Sequence, residues 1–144
     1  MGSPNLMFFS YNLVMKKLLI LTIILSSLIL TTTGYARWTN IIRTHQGTTF
    51  YLDVLQIARS DRYVYFWELI DYLKPTQYGI LSHVVFAQGD CKLLRKKTVS
   101  FSSHKEPMGA GAGVPYDPKN PNWVQSSPGS ALETVVKSAC ALAR

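Results

Sequence analysis

Residues 62–72 form an eleven-residue run, Arg-Tyr-Val-Tyr-Phe-Trp-Glu-Leu-Ile-Asp-Tyr, that no glycine or proline interrupts. Its aromatic and β-branched side chains favour extended backbone. Alternation along a strand puts Tyr63, Tyr65, Trp67 and Leu69 on one side and Val64, Phe66, Glu68 and Ile70 on the other. Both sets are largely apolar, so such a strand needs cover on both sides. It is expected at the centre of a sheet, with a helix over one face and a loop or partner over the other. Tyr63, Tyr65 and Trp67 are expected to pack beneath the helix, the reverse set being the alternative.

The flanking sequence supplies the neighbours of that strand. Residues 37–43, 48–53, 54–59, 80–88 and 92–102 carry β-branched and aromatic residues. Turn signals separate them at 44–47, at Arg59, Ser60 and Asp61, at 74–79, and at Gly89 and Asp90. The pattern predicts an α+β fold, an antiparallel β-sheet of about six strands in a meander with a C-terminal α-helix packed on one face. Ser130 with Glu133 has the form of a capping box, with a start at Ser127 and Pro128 as the alternative. Leu132, Val135, Val136, Ala139, Cys140 and Ala143 then follow the spacing of one buried helical stripe. Residues 104–127 are too rich in glycine and proline for regular structure, and Trp123 is expected to pin that long loop to the body.

The first quarter of the sequence reads as an address rather than a fold. Met15, Lys16 and Lys17 form a positive start, residues 18–30 are apolar, and Gly34 and Ala36 are small residues at the −3 and −1 positions. This is the pattern of a Sec signal peptide cut after Ala36, with Met15 the better translation start. The expected division is an extension plus signal peptide over 1–36 and one domain over 37–144. The apolar run is too short for comfortable membrane crossing, so no membrane span is expected after cleavage. No cysteine stands near the cleavage site, so a lipoprotein anchor is not expected. The destination is then the periplasm, the cell surface or the medium.

Export decides how the two cysteines are read. An oxidising compartment joins such a pair, so a Cys91–Cys140 disulfide should clamp the helix onto the sheet. No Cys-x-x-Cys occurs, and His45, His83 and His104 have no paired ligand spacing, so no metal or other cofactor is expected. The serines lack a Gly-x-Ser-x-Gly elbow. Asp53, Glu68 and Asp71 could converge as carboxylates, Glu68 being the one to watch on its apolar strand; an ion pair with Lys or Arg is its plainer role. The glycines at 109–113 lack the Gly-Lys-Ser/Thr ending of a phosphate loop. With no organised nucleophile, acid–base pair or metal set, an enzyme is not expected.

The sequence holds 15 Lys and Arg against 8 Asp and Glu, a net charge of +7. The densest cluster is Lys92, Arg95, Lys96 and Lys97, which suits an acidic partner such as a glycan, an anionic head group or an acidic protein. Its plainer role is a lysine-protected edge strand. Nucleic acid is not expected, given export and the lack of a recognition module.

Spaced landmarks across nearly all of 37–144 carry a further signal. They are Trp38, the Tyr51, Leu52 and Asp53 run with Ile57, Val64 to Trp67 with Asp71 and Tyr72, Ser82, Cys91, Trp123, and Ser127 to Ser130 leading to Cys140. In these the sequence resembles the surface-adhesin protein E family of Gram-negative bacteria. The resemblance implies an antiparallel sheet joined to a C-terminal helix by a disulfide. It also implies a non-enzymatic surface protein that binds host extracellular-matrix or serum proteins and forms a homodimer. The missing lipidation cysteine departs from the family's tethering pattern and leaves a periplasmic role open, with a bacterial envelope protein as partner. In the adhesin-type role Lys92, Arg95, Lys96, Lys97 and the 104–127 loop are the expected contacts.

Overall fold

The computed structural model describes residues 15–17, which are helical, and 38–143; the rest of the expected signal peptide and its expected cleavage site lie outside the described residues. Chain contacts divide the protein into two units, Met1–Tyr35 and Ala36–Arg144. The second unit holds an eight-stranded antiparallel sheet and one long helix. Its strands are β1 (Trp38–Arg43), β2 (Thr49–Asp53), β3 (Ala58–Ser60), β4 (Tyr63–Asp71), β5 (Ser82–Asp90), β6 (Arg95–His104), β7 (Val114–Tyr116) and β8 (Val124–Gln125). The helix is α1 (Ala131–Leu142). No described helix is long and apolar enough to cross a membrane.

The order β1-β2-β4-β5-β6-β7 is a meander with β4 and β5 at its centre, and β3 and β8 pair with β4 and β6 off that path. The six expected strands are present, and the two extra ones lie inside the 104–127 loop. Two turn positions differ from expectation. Arg59 and Ser60 are in β3, and the chain reverses at Asp61, whose φ is 53°. Gly89 and Asp90 complete β5, and the tight turn falls on residues 91–94, where Leu94 takes a φ of 47°. Glycine and aspartate signal a turn in sequence. Here the glycine serves close packing instead, because a Cβ at Gly89 would lie 3.0 Å from Val64 and 3.8 Å from Val136.

The core lies between the sheet and α1. Register pairs Leu52 with Glu68, Glu68 with Val85, and Phe66 with Ala87. Val64, Phe66 and Glu68 therefore face the helix, together with Leu52, Val85 and Ala87. The alternative set, and not the expected Tyr63, Tyr65 and Trp67, lies under it, because the smaller aliphatic side chains and one phenylalanine fit the close approach of α1. Val135, Val136 and Ala139 of α1 are fully buried, and Leu52, Val64, Phe66, Val85, Ala87, Val135 and Ala139 make one cluster. The helix begins where its capping box predicts: Ser130 is the N-cap and its Oγ accepts the Glu133 N–H at 3.2 Å. Glu133 reaches one residue further back than a standard box, accepting from the Gly129 N–H at 2.6 Å. The Cys91–Cys140 disulfide, with Cα atoms 5.8 Å apart, ties the helix to the β5–β6 turn. Arg59 donates to the Cys140 carbonyl at 2.7 Å, satisfying an orphan acceptor near the helix end.

Candidate functional site

The opposite face of the sheet is closed differently. Tyr63, Tyr65, Trp67 and Leu69 of β4 point there, beside Val84, Phe86 and Gln88 of β5. Two segments of the long loop come down on it. At one end a single 3-10 turn, Pro107–Gly109, covers Leu69 and Val84. The Ser82 hydroxyl donates to the Glu106 carbonyl at 2.6 Å and accepts the Gly109 N–H at 2.9 Å. Asp71 accepts the Met108 N–H at 2.6 Å. Buried His104 contacts the Ala110 carbonyl through Nδ1 at 3.1 Å and Ser102 Oγ through Nε2 at 2.8 Å. Because a carbonyl only accepts, Nδ1 donates to Ala110.

The other end is held by Trp123 and β8. Trp123 stacks on Tyr63 with centroids 5.7 Å apart. The Arg95 guanidinium lies 4.6 Å and the Lys97 ammonium 5.0 Å from the Trp123 ring centre. Ser126 Oγ donates to the Leu94 carbonyl, and Gln125 donates to the Leu93 carbonyl at 2.6 Å. Trp123 is thus the anchor its position in the loop predicts.

Beneath this end sits Asp90, its side chain sealed from solvent. Its Oδ2 accepts from Arg62 at 2.8 Å and Arg95 at 3.3 Å, and its Oδ1 accepts the Lys92 and Leu93 N–H groups at 3.1 and 3.2 Å. Burial works against its ionisation, but the Leu93 and Lys92 amides and the Arg62 charge outweigh that, so the carboxyl is held below its usual range. Sequence reasoning passed over Asp90. An aspartate ending a strand just before a turn is the available signal, since its side chain can accept the following amides.

The four clustered cations do not form one strip. Arg95 and Lys97 lie on the aromatic face. Lys96 turns to the helix face, where its ammonium pairs with fully buried Glu68 and leaves 13% of the lysine side chain exposed. Lys92 is exposed in the turn. The watched carboxylates are dispersed too. Asp53 is buried and organises the bend after β2, accepting from the Leu55 N–H at 3.1 Å and Gln56 at 2.8 Å. Asp71 holds the Pro107–Gly109 turn on one face, and Glu68 is under the helix on the other. The histidines are likewise apart: His45 is exposed in the β1–β2 turn, His104 latches the loop, and His83 stands on the helix face between Tyr72 and Phe101, each 5.6 Å away. Burial lowers the His83 pKa, with nearby His104 adding to it against a raising backbone hydrogen bond at Ser102.

Between the two tethers, Tyr65, Trp67 and Phe86 remain half-buried. Phe86 contacts Trp67 at 5.0 Å and Tyr65 at 6.3 Å between ring centres, and Gln88 donates to the Tyr65 hydroxyl at 2.8 Å. This makes a continuous aromatic floor with Lys97 at its rim.

Comparison with known proteins agrees with this architecture. The family model described as "Surface-adhesin protein E" matches residues 38–141. A structure of crystal form II of Haemophilus influenzae protein E superposes with a TM-score of 0.53 at 18% identity, covering 76% of this chain and 91% of that one. A second structure of Haemophilus influenzae protein E gives 0.53 at 17% identity, covering 76% and 88%. At that identity the likeness establishes the fold. No curated protein matches the sequence significantly.

Proposed function

The chain belongs to the surface-adhesin protein E family, and on that premise we propose that it is an exported, non-enzymatic binding protein that captures host extracellular-matrix or serum proteins at the cell surface. The observation that carries the reading is the family match across 38–141, which spans the sheet, both loop tethers and the helix. The placement of the polar groups supports it. Asp53, Asp71 and Asp90 each hold a turn, tether or strand end, and Glu68 is committed to Lys96. The contact surface in this reading is the aromatic face and its basic rim: Arg95 and Lys97, with Lys92 and the exposed part of the 104–127 loop beside them. Lys96 supports that surface from behind through Glu68.

Binding of the purified protein to immobilised matrix and serum proteins tests this reading, with Lys97→Glu and Lys92→Glu as charge reversals. Retention of full binding by both variants would remove the basic rim from the site. Protease treatment of intact cells tests the location, surface exposure being expected. Cys91 and Cys140 are joined to each other, a pairing that an oxidising periplasm supplies. That favours a second reading, a periplasmic protein that binds a bacterial envelope partner, which protection from protease on intact cells would support.

A further inference from the structure

We infer that the aromatic floor on the face away from the helix is a binding site for an acidic sugar chain, a polysaccharide bearing carboxylate or sulfate groups. This deepens the proposed binding function and rests on it, by assigning the face that binds and the chemistry it selects. Three observations converge. First, Tyr65, Phe86 and Trp67 form a connected row of half-buried rings, with centroids 6.3 and 5.0 Å apart, on a sheet face that the loop covers only at its two ends. From Trp67 to Tyr65 the open row spans about 7 Å at ~3.3 Å per residue, and beyond it Tyr63, stacked under Trp123, leads to the basic rim. Second, the charge at its rim is one-sided. Arg62 and Arg95 share one carboxylate, Asp90, and Lys97 packs over Trp123, so these three cations stand against that one anion with an excess of two positive charges. Glu68, which could have balanced them, faces the opposite side of the sheet and is committed to Lys96.

Third, the floor mixes ring faces with hydrogen-bonding groups. The Tyr65 hydroxyl, Gln88 and Ser100 lie on the same side of the sheet, Ser100 being paired with Phe86. A protein anchor needs a dry pocket for a large side chain. A pyranose ring instead offers an apolar C–H face for stacking and a hydroxyl edge for hydrogen bonds, which matches flat rings flanked by hydroxyl groups, the Tyr65 hydroxyl being oriented by buried Gln88. The acidic substituent of each unit then meets Lys97 and the arginine pair. Trp123 closes the basic end of the floor as a stacking wall, held by the cations that line it.

The test is titration of the purified, disulfide-bonded protein with heparin-derived and hyaluronan oligosaccharides, followed by tryptophan fluorescence and calorimetry. Neutral dextran, polyglutamate and oligodeoxythymidylate serve as comparators. The acidic sugars should bind and the others should bind at least about tenfold more weakly. Trp67→Ala and Lys97→Met should each weaken acidic-sugar binding about tenfold, while Trp67→Phe retains most of it. Melting temperature and an intact disulfide control for folding. Equal binding of polyglutamate, which reports charge alone, overturns the inference. So does tighter binding of the oligonucleotide, or dimerisation in which Trp67 is buried and sugar has no effect. Failure here is separable from failure of the adhesin reading. Undiminished capture of deglycosylated host proteins keeps adhesion and removes the sugar site. Binding of acidic sugars without capture of any host protein does the reverse.

Discussion

The two faces of the sheet are built from the same strands and closed by opposite means. On one face α1 buries Val135, Val136 and Ala139 against Leu52, Val64, Phe66 and Ala87, and a covalent bond locks it in place. On the other, two stretches of loop are fastened at their ends by hydrogen bonds and cation–π contacts, and the aromatic middle is left half-buried. Apolar area removed from water scales directly into stability, so the helix face is where the fold is held together. The tethered face contributes less of that and keeps ring surface available to a ligand. Stability and recognition are therefore divided between the even and odd residues of β4.

The most severe way to break this contrast is to cut the clamp. Reduction, or Cys140→Ala, should lower unfolding free energy by up to about 4 kcal/mol on the chain-entropy model, read as a shift in urea midpoint with and without reductant. The loss should fall on the helix face. Next is the ion pair beneath the helix. Lys96→Met leaves Glu68 buried without its cation and should cost about 3 kcal/mol, while Lys97→Met, one residue along and on the other face, should cost less than about 1 kcal/mol. Equal losses in thermal melts would contradict the assignment of the two lysines to different faces.

A smaller effect sharpens the picture of the tethered face. Ser82→Ala removes two hydrogen bonds to the loop and should cost about 1–2 kcal/mol. Amide exchange should quicken at Met108 to Ala110 while the α1 amides keep their protection. The smallest effect separates the faces by pH. The His83 pKa is depressed below its ordinary 6.5 in the fold, so the unfolded chain takes up a proton first. Stability is full above pH 6.5 and declines as pH falls towards the folded value. Asp90 is depressed below its ordinary 3.8, so its contribution is full above that pH and lost as pH falls through the lower folded value. His83→Gln should remove the first decline and leave the second, as read by pH-dependent denaturation.

Much of the sealed face was legible in the sequence because it rests on periodicity and on covalent chemistry. The stripe from Leu132 to Ala143, the Ser130 cap and the Cys91–Cys140 pair each carry a local signal with one physical reading. The strand of residues 62–72 was equally clear, although only packing could decide that Val64 and Phe66, not Tyr63 and Trp67, lie under the helix. The tethered face was less legible. Ser82, His104 and Asp90 act through partners 24, 6 and 28 residues away in sequence. No local pattern marks a residue as half of a long-range hydrogen bond. The basic cluster from Lys92 to Lys97 reads as one feature in sequence, but strand alternation divides it between faces. The divergence of Arg95 and Lys97 from Lys96 was available from that alternation; the burial of Lys96 against Glu68 was not.

The helix α1 follows every strand in chain order, and this sets the order of assembly. Synthesis delivers β1 to β6 first, so for a time the sheet has its strand partners and no cover over Leu52, Phe66 and Ala87. During that interval the face destined to be most secure is the one most exposed to wrong association. The last dozen helical residues end it by docking a face that then brings Cys140 to Cys91. Arrival of α1 thus acts as a timing signal for this fold. A shortened chain lacking α1 would keep strand pairing and loop tethers but would persist as the sticky intermediate.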